Sequence, residues 1–353
     1  MKILVTGAGG FIGGWVVESL YLTGFGQVRA TVRRWPSAAR IARFPVEIVL
    51  CDILNHTQIE RAVDGVDAVV HCAYGPREVN IEGTENLLKA SLRTGVRRFV
   101  HLSTIDVYGG REGNVDETLP FKYTGSEYGD SKIDAEKLCW KYSGKGLSLV
   151  VLRPTVVYGP HCKLWITKFA ERLQSGNWGV LKDLGEGLCN LVYVRDLVNA
   201  ISLSLDSRNA AGQAFNINGS EVITWNEYFR RLNGALGLPA LQEIDPFKSK
   251  LSSTMMMPLR LAARHLLKHY GDSLRKLSRR SDLAKQLIGR SEKSLKNTPS
   301  FSELSMFKRR PSYSISKAKA LLGYEPSVSV DTGLELSIRW LKHETLFSCD
   351  GLG

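Results

Sequence analysis

The sequence predicts an α/β protein, a doubly wound parallel sheet followed by a smaller, mainly helical C-terminal part. Three observations point there. Short apolar runs alternate with helical patterns over the first 155 or so residues, a glycine-rich turn directly follows the first run, and the alternation breaks after Pro160. A parallel sheet needs crossover helices between its strands, and the alternation supplies them.

In chain order, residues 2–5 read as the first strand and 11–22 as the helix behind the glycine turn. Residues 28–32, 46–50 and 68–71 read as strands two to four, each a short apolar run between turn signals. A helical pattern covers 81–94, strand five is 98–102, a second long helix covers 128–142, and strand six is 147–152. Beyond Pro160, residues 166–175 and 194–205 look helical, 191–194 and 214–217 look like short strands, and 333–342 closes the chain as a helix. The expected division is therefore 1–160 with about 191–220 for the sheet, and 161–190 with about 221–353 for the part that binds substrate.

The chain has 353 residues, with 43% hydrophobic and 23% charged residues, which is ordinary for a soluble globular enzyme. No apolar run is long enough to span a membrane, and the first strand begins at once, so no secretory leader and a cytoplasmic location are expected. Six scattered cysteines without a Cys-x-x-Cys pair argue for reduced thiols and against a metal site. The net charge of +12 has one source. Residues 248–310 hold 16 Lys and Arg against four acids, so this basic insertion carries the whole excess.

Within the insertion, Leu259, Ala262, Ala263, Leu266, Leu267, Tyr270, Leu274 and Leu277 recur at three- and four-residue steps, with arginines and lysines around them. Such a helix suits a cover over the substrate-binding part, a lid that attracts an anionic substrate, or, across 255–296, peripheral association with an anionic membrane. Nucleic acid is not an expected partner, because no recognition motif accompanies the charge.

The chemistry is carried by two motifs. Thr6-Gly-Ala-Gly-Gly-Phe-Ile-Gly13 turns from strand one into a helix, and its glycines let the backbone turn tightly and approach a pyrophosphate. Strand two ends in Arg33-Arg34 with no acid, which suits a 2′-phosphate and so NADP(H), with NAD(H) or a merely solvated basic loop as the alternatives. Asp52 stands where it could accept from an adenine amino group or serve as an ordinary loop aspartate.

Tyr128-Gly-Asp-Ser-Lys132 is the second motif. Tyrosine and lysine four residues apart share a helix face, and the lysine charge should draw the phenol down from its usual ~10. Ser103-Thr104 precedes it at the end of strand five, where Thr104 either donates to a substrate oxygen or caps a turn.

Taken with His71-Cys-Ala-Tyr74, Asn80-Ile-Glu-Gly-Thr84, Ser103-Thr-Ile-Asp-Val-Tyr-Gly109, Arg153-Pro-Thr-Val-Val-Tyr-Gly-Pro160, Val192-Tyr-Val-Arg-Asp196 and Lys317-Ala-Lys-Ala-Leu-Leu-Gly-Tyr-Glu-Pro326, the chain resembles the extended short-chain dehydrogenase/reductase family, also called the epimerase/dehydratase family. The resemblance covers nearly everything except about 248–310. It implies a Rossmann sheet, a homodimer through the helices near 81–94 and 128–142, and a small-molecule substrate. Thr104, Tyr128 and Lys132 would be catalytic, with Lys132 also holding the nicotinamide ribose. Cofactor contacts are expected at Gly7, Gly10, Phe11, Ile12, Gly13, Arg33, Arg34, Asp52, Ile53, Ala73, Tyr74, Asn80, Leu102, Tyr128, Lys132, Pro154 and Val157. Substrate contacts are expected at Tyr74, Thr104, Ile105, Asp106, Val156 and Trp165.

Three departures bear on the reaction. Dehydratases of this kind carry Thr-Asp-Glu where this chain has Thr104-Ile105-Asp106, so the acid that protonates a leaving hydroxyl is missing. Nucleotide-sugar epimerases similar to this chain have an asparagine where Val156 stands and a diphosphate-binding arginine near Cys189. The 29–34 stretch resembles flavonoid ketone reductases, and the segments at 153–159 and 192–194 resemble the 3β-hydroxysteroid dehydrogenase-like branch. The sequence thus favours alcohol/ketone oxidoreduction on a substrate without a nucleotide. A nucleotide-sugar epimerase with retained NAD(P) is the second reading, and a regulator that binds the cofactor but has lost chemistry is a third.

Overall fold

The computed structural model describes residues 1–176, 178–244 and 299–344. The basic helix expected across 255–296 lies outside the described residues.

Seven strands form one parallel sheet in the order β10-β7-β5-β4-β1-β2-β3. They are β1 (Lys2–Thr6), β2 (Gln27–Val32), β3 (Glu47–Leu50), β4 (Ala68–His71), β5 (Arg98–Leu102), β7 (Leu149–Pro154) and β10 (Gln213–Ile217). Parallel strands covered on both faces must be apolar throughout, and Ile3, Leu4 and Val5 are accordingly without exposure. Helices α1 (Phe11–Leu22), α2 (His56–Val63), α3 (Thr84–Arg93), α4 (Glu127–Ser143) and α6 (Val194–Asp206) supply the cover. One core packs α1 and α6 on the sheet through Val16, Val17, Leu197 and Ile201. The other packs α2, α3 and α4 through Ile59, Leu87, Leu88 and Cys139.

Strand order reverses between β1, which continues to β2, and β4, which continues to β5. A crevice at the carboxyl ends of these strands is where doubly wound sheets bind nucleotides. Both the glycine turn and the segment after β4 lie there. Their closeness is tight enough that a Cβ on Gly7 would fall 2.7 Å from the Ala73 backbone.

Two compact units divide the chain. The first comprises 1–162, 190–221 and 311–333; the second, among the described residues, comprises 163–189 without 177, 222–244, 299–310 and 334–344. Residues 311–333, expected with the substrate-binding part, therefore join the sheet. Their attachment is specific. β12 (Pro311–Tyr313) pairs with β6 (Gly113–Val115), the Tyr324 hydroxyl donates to the Asn218 carbonyl at 2.9 Å, and the Asp196 carboxylate accepts from the Ser327 and Val328 amides. Helix α9 (Ser316–Leu322) buries Ala318 and Leu322 in the same core as α1 and α6. The short strands β8 (Val156–Tyr158) and β9 (Leu188–Tyr193) pair with Val156 opposite Leu191.

Within the second unit, α5 (Lys168–Gln174), β11 (Val222–Thr224), α7 (Trp225–Leu236) and α8 (Phe301–Lys308) surround a cluster of aromatic rings, among them Phe169, Trp178, Trp225 and Phe229. Glu303 on α8 accepts from Lys168 at 2.6 Å and from Arg172 at 3.0 Å. Burial works against its charge, but these two cations hold the carboxyl down at about 2. Helix α10 (Val330–His343) is the last element among the described residues.

Candidate active site

The glycine turn shows why glycine is required. Gly7 has a φ of +65°, which side chains rarely adopt, and a Cβ on Gly13 would fall 2.3 Å from the Gly7 carbonyl oxygen. Helix α1 thus starts pressed against the end of β1. Its N-cap is Gly10, which supplies no side-chain acceptor, so the N–H groups of the first turn keep their hydrogen-bonding capacity and positive dipole end for an anion. Phe11 and Ile12 are half-buried against the core beneath.

Arg33 and Arg34 follow β2 and are exposed, and neither enters an ion pair among the described residues. Their neighbour Ser37 is held against the glycine turn, since a Cβ on Gly9 would meet the Ser37 carbonyl at 2.4 Å. Arg40, by contrast, is occupied by Glu18 at 3.1 Å and the Phe11 carbonyl at 3.2 Å. Asp52 turns one carboxylate oxygen back to the Leu54 amide at 3.1 Å, which is the local loop role. Ile53 is buried under Gly83, so its side chain serves packing.

On the other side of the crevice, the Thr6 hydroxyl meets the Ala73 amide at 3.3 Å and His71 Nδ1 at 2.8 Å, while His71 Nε2 meets Thr84 Oγ1 at 2.9 Å. Asn80 is buried. Its Oδ1 accepts from the Gly75 amide at 3.0 Å and its Nδ2 donates to Ser131 Oγ at 3.0 Å; Ser131 donates in turn to the Tyr128 carbonyl at 2.8 Å. This side chain, expected to line the cofactor path, ties the 75–80 loop to α4. Tyr74 at 67% and Tyr128 at 37% exposure stand edge to face with centroids 5.4 Å apart.

Helix α4 sets the catalytic pair. Ser126 caps it through the Gly129 amide at 3.3 Å, and Glu127 and Asp130 suit the positive end of its first turn. Tyr128 reaches the hydroxyl of Thr104, which also accepts the Asp106 amide at 3.2 Å and so caps the turn over Ile105–Tyr108. The cap of the turn is thus one role of this side chain. Lys132 is buried and donates to the Leu102 carbonyl at 2.7 Å.

The electrostatics differ from the expected pull of Lys132 on Tyr128. Loss of solvent at the phenol end and then the nearby Asp106 carboxylate push Tyr128 well above its usual value, opposed by the hydrogen bond from Thr104. Lys132 faces Leu102, and burial lowers its own pKa to about 8. In this arrangement the phenol is a protonated donor at neutral pH.

Among the remaining expected contacts, Pro154 ends β7 beside Ile217, Val157 lies in the core, and Val156 and Ile105 are half-buried. Trp165 belongs to the second unit, stacked on Phe169 with its carbonyl accepting from the Tyr228 hydroxyl. Cys189, near which the resemblance to epimerases places a diphosphate-binding arginine, is wholly buried.

Residues 3–218 match the NAD dependent epimerase/dehydratase family. The chain belongs to that family. Its relatives in the epimerase/dehydratase family include a UDP-glucose 4-epimerase of Vibrio cholerae, 33% identical over 68% of this chain and 77% of the relative. A 3 beta-hydroxysteroid dehydrogenase/Delta 5→4-isomerase of Mycobacterium tuberculosis is 30% identical over 67% of this chain and 70% of the relative. The fold is that of a UDP-glucuronic acid 4-epimerase from Bacillus cereus in complex with NAD, with a TM-score of 0.72, 23% identity and coverage of 97% and 96% of the two chains. A UDP-glucose 4-epimerase of Thermotoga maritima with UDP-glucose matches similarly, with a TM-score of 0.73, 24% identity and coverage of 97% and 99%. The protein is thus an enzyme of the extended short-chain dehydrogenase/reductase type.

A nicotinamide dinucleotide fits the residues present: the side-chain-free turn at 7–13 and the uncapped start of α1 suit its pyrophosphate. Sequence reasoning missed the partners of Lys132 and the polar chain behind it. Glu136, one turn after Lys132 on the same helix face, and Arg153, next to Pro154, are the only signals that could have revealed it.

Proposed function

We propose that the enzyme interconverts a secondary alcohol and a ketone with NADP(H), on a small substrate that carries no nucleotide. The observation that carries the reading is the exposed Tyr128, reaching Thr104 and one turn from the buried Lys132. Bound nicotinamide would supply or accept the hydride. Tyr128 gives its proton to the developing alkoxide, or takes one from the alcohol in reverse, while the Thr104 hydroxyl donates to the same oxygen. Lys132, one helical turn further along α4, would hold the nicotinamide ribose.

A substrate without nucleotide is supported by the burial of Cys189 and by valine at 156, which together leave those two positions without a polar anchor for a diphosphate. The exposed aromatic pair Tyr74 and Tyr128 offers an apolar edge instead. Free guanidiniums at Arg33 and Arg34 support NADP(H), which they can grip at a 2′-phosphate.

A second reading, nucleotide-sugar epimerisation with retained NAD(P), is favoured by the 33% identity to the Vibrio cholerae epimerase. Purified enzyme separates the two. The first reading expects stoichiometric consumption of NADPH with cyclic and steroid ketones and none of the UDP-sugar interconversion; UDP-glucose converted by tightly held cofactor without net NADPH change would replace it with the second.

A further inference from the structure

Behind the site runs a buried polar chain that touches neither substrate nor cofactor in the reading above. Glu136, on α4 and without exposure, accepts from Ser103 Oγ at 2.7 Å, from Trp140 Nε1 at 3.3 Å, and from Arg153 Nε at 3.1 and 3.2 Å, with a further bond from Arg153 Nη2. Arg153 Nη1 donates to the Tyr108 hydroxyl at 2.7 Å, and that hydroxyl donates to Asn216 Oδ1 at 2.7 Å. The guanidinium also lies over the Tyr108 and Phe121 rings, 5.1 and 5.3 Å from their centroids.

Each link adjoins a residue of the site. Ser103 precedes Thr104, Tyr108 ends the turn that Thr104 caps, Glu136 lies one helical turn beyond Lys132, and Arg153 precedes Pro154. Three separate elements, the end of β5, the middle of α4 and the end of β7, are thus drawn onto one carboxylate. Ion pairs this deep are poor sources of net stability compared with apolar packing, so their value lies in the geometry they enforce.

We propose that Ser103, Glu136 and Arg153 are positioning residues: the chain sets the distance between the Thr104 hydroxyl and the Tyr128–Lys132 face, and Glu136 is the counter-charge that keeps Lys132 an ammonium ion. Lys132 faces groups from β4, β5 and its own helix. His71 and Cys72 come from β4 and its end, His101 from β5, and Cys139 from its own helix. Against burial, Cys139, Cys72 and then Glu136 act to raise the lysine pKa; Glu136 is the carboxylate among them and shares the buried helix face one turn from Lys132.

The test uses the full chain. Lysine labelled with 13C at Cε, the Lys132 signal being assigned by its loss in Lys132→Arg, should titrate near pH 8 in the wild type. In Glu136→Gln the midpoint should fall below that of the wild type. Ser103→Ala keeps the Glu136–Arg153 pair and should fold normally. It should lower kcat roughly tenfold to a hundredfold while KM and the NADPH dissociation constant stay within about twofold. A merely structural role would leave the lysine titration in place and lower the amount of folded enzyme instead. An unchanged midpoint in Glu136→Gln, or full kcat in Ser103→Ala, overturns the proposal. Should Glu136→Gln fail to fold, Ser103→Ala decides alone. The kcat arm rests on the alcohol/ketone reading and the titration does not, so a wild type without turnover but with the expected lysine shift overturns that reading and leaves this one standing.

Discussion

At the scale of single residues, the phenol of Tyr128 decides the chemistry. Its raised pKa keeps it protonated at neutral pH, so ketone reduction should be nearly flat between pH 6 and 8. Alcohol oxidation, which needs the phenolate, should rise roughly tenfold per pH unit over that range. Steady-state rates in both directions check this, and an oxidation rate that falls with pH would contradict it. Tyr128→Phe should lower turnover by about 10²–10⁴-fold with NADPH binding retained, measured by fluorescence titration. His101 gives a second prediction. Both its ring nitrogens are buried without a partner, and burial, then the charge of Lys132, keeps its pKa far below 6.5. The folded state holds it neutral while the unfolded chain protonates, so its contribution is lost as pH falls below about 6.5. His101→Leu should therefore remove about 2 kcal/mol of the stability lost between pH 6.5 and 5, read from urea unfolding at both values. The identities of Thr104, Tyr128 and Lys132 are legible in the sequence because they recur at fixed spacing. The direction of the Tyr128 shift is not, because it depends on where the Lys132 ammonium turns and how near Asp106 comes.

Among the elements, the glycine turn is the one whose substitution has a computable consequence. Gly13→Ala would set a Cβ 2.3 Å from the Gly7 carbonyl oxygen, where only a shift of α1 relieves the clash. The expected result is a loss of at least tenfold in dinucleotide affinity and about 1–3 kcal/mol of stability, by calorimetric titration and thermal melting. Gly24→Ala, with open space around it, offers the control for backbone strain alone. Strands with both faces covered read clearly from sequence because they carry unbroken apolar runs, as in Leu149–Leu152. Helix α2 escapes notice because it has only eight residues and one narrow apolar stripe, although its Asn55 cap is a readable start signal. Three-residue strands such as β6 and β12 carry no period at all, and only their distant partner reveals them.

For the molecule as a whole, the family and the sheet follow from the ordered motifs, while assembly and location rest on expectation. We propose a homodimer through α3 and α4, for which light scattering should give about twice the 39.2 kDa chain mass at micromolar concentration. A monomer at that concentration would refute it. Residues 255–296 lie outside the described structure, and their basic apolar stripe gives one further expectation: sedimentation with anionic vesicles that disappears on deletion of that stretch. Among the described residues no helix is long and apolar enough to cross a membrane. The return of 311–333 to the sheet was not legible, because the bond from Tyr324 to Asn218 spans 106 residues and no local pattern announces it.

That return has a practical outcome for anyone who would cut the protein into pieces. A fragment stopping at residue 221 would contain every cofactor motif and still leave the Asp196 carboxylate, 2% exposed in the intact chain, facing nothing where the Ser327 and Val328 amides had been. The unit that holds the glycine turn is therefore completed by residues 311–333, and synthesis must pass them before that unit can close.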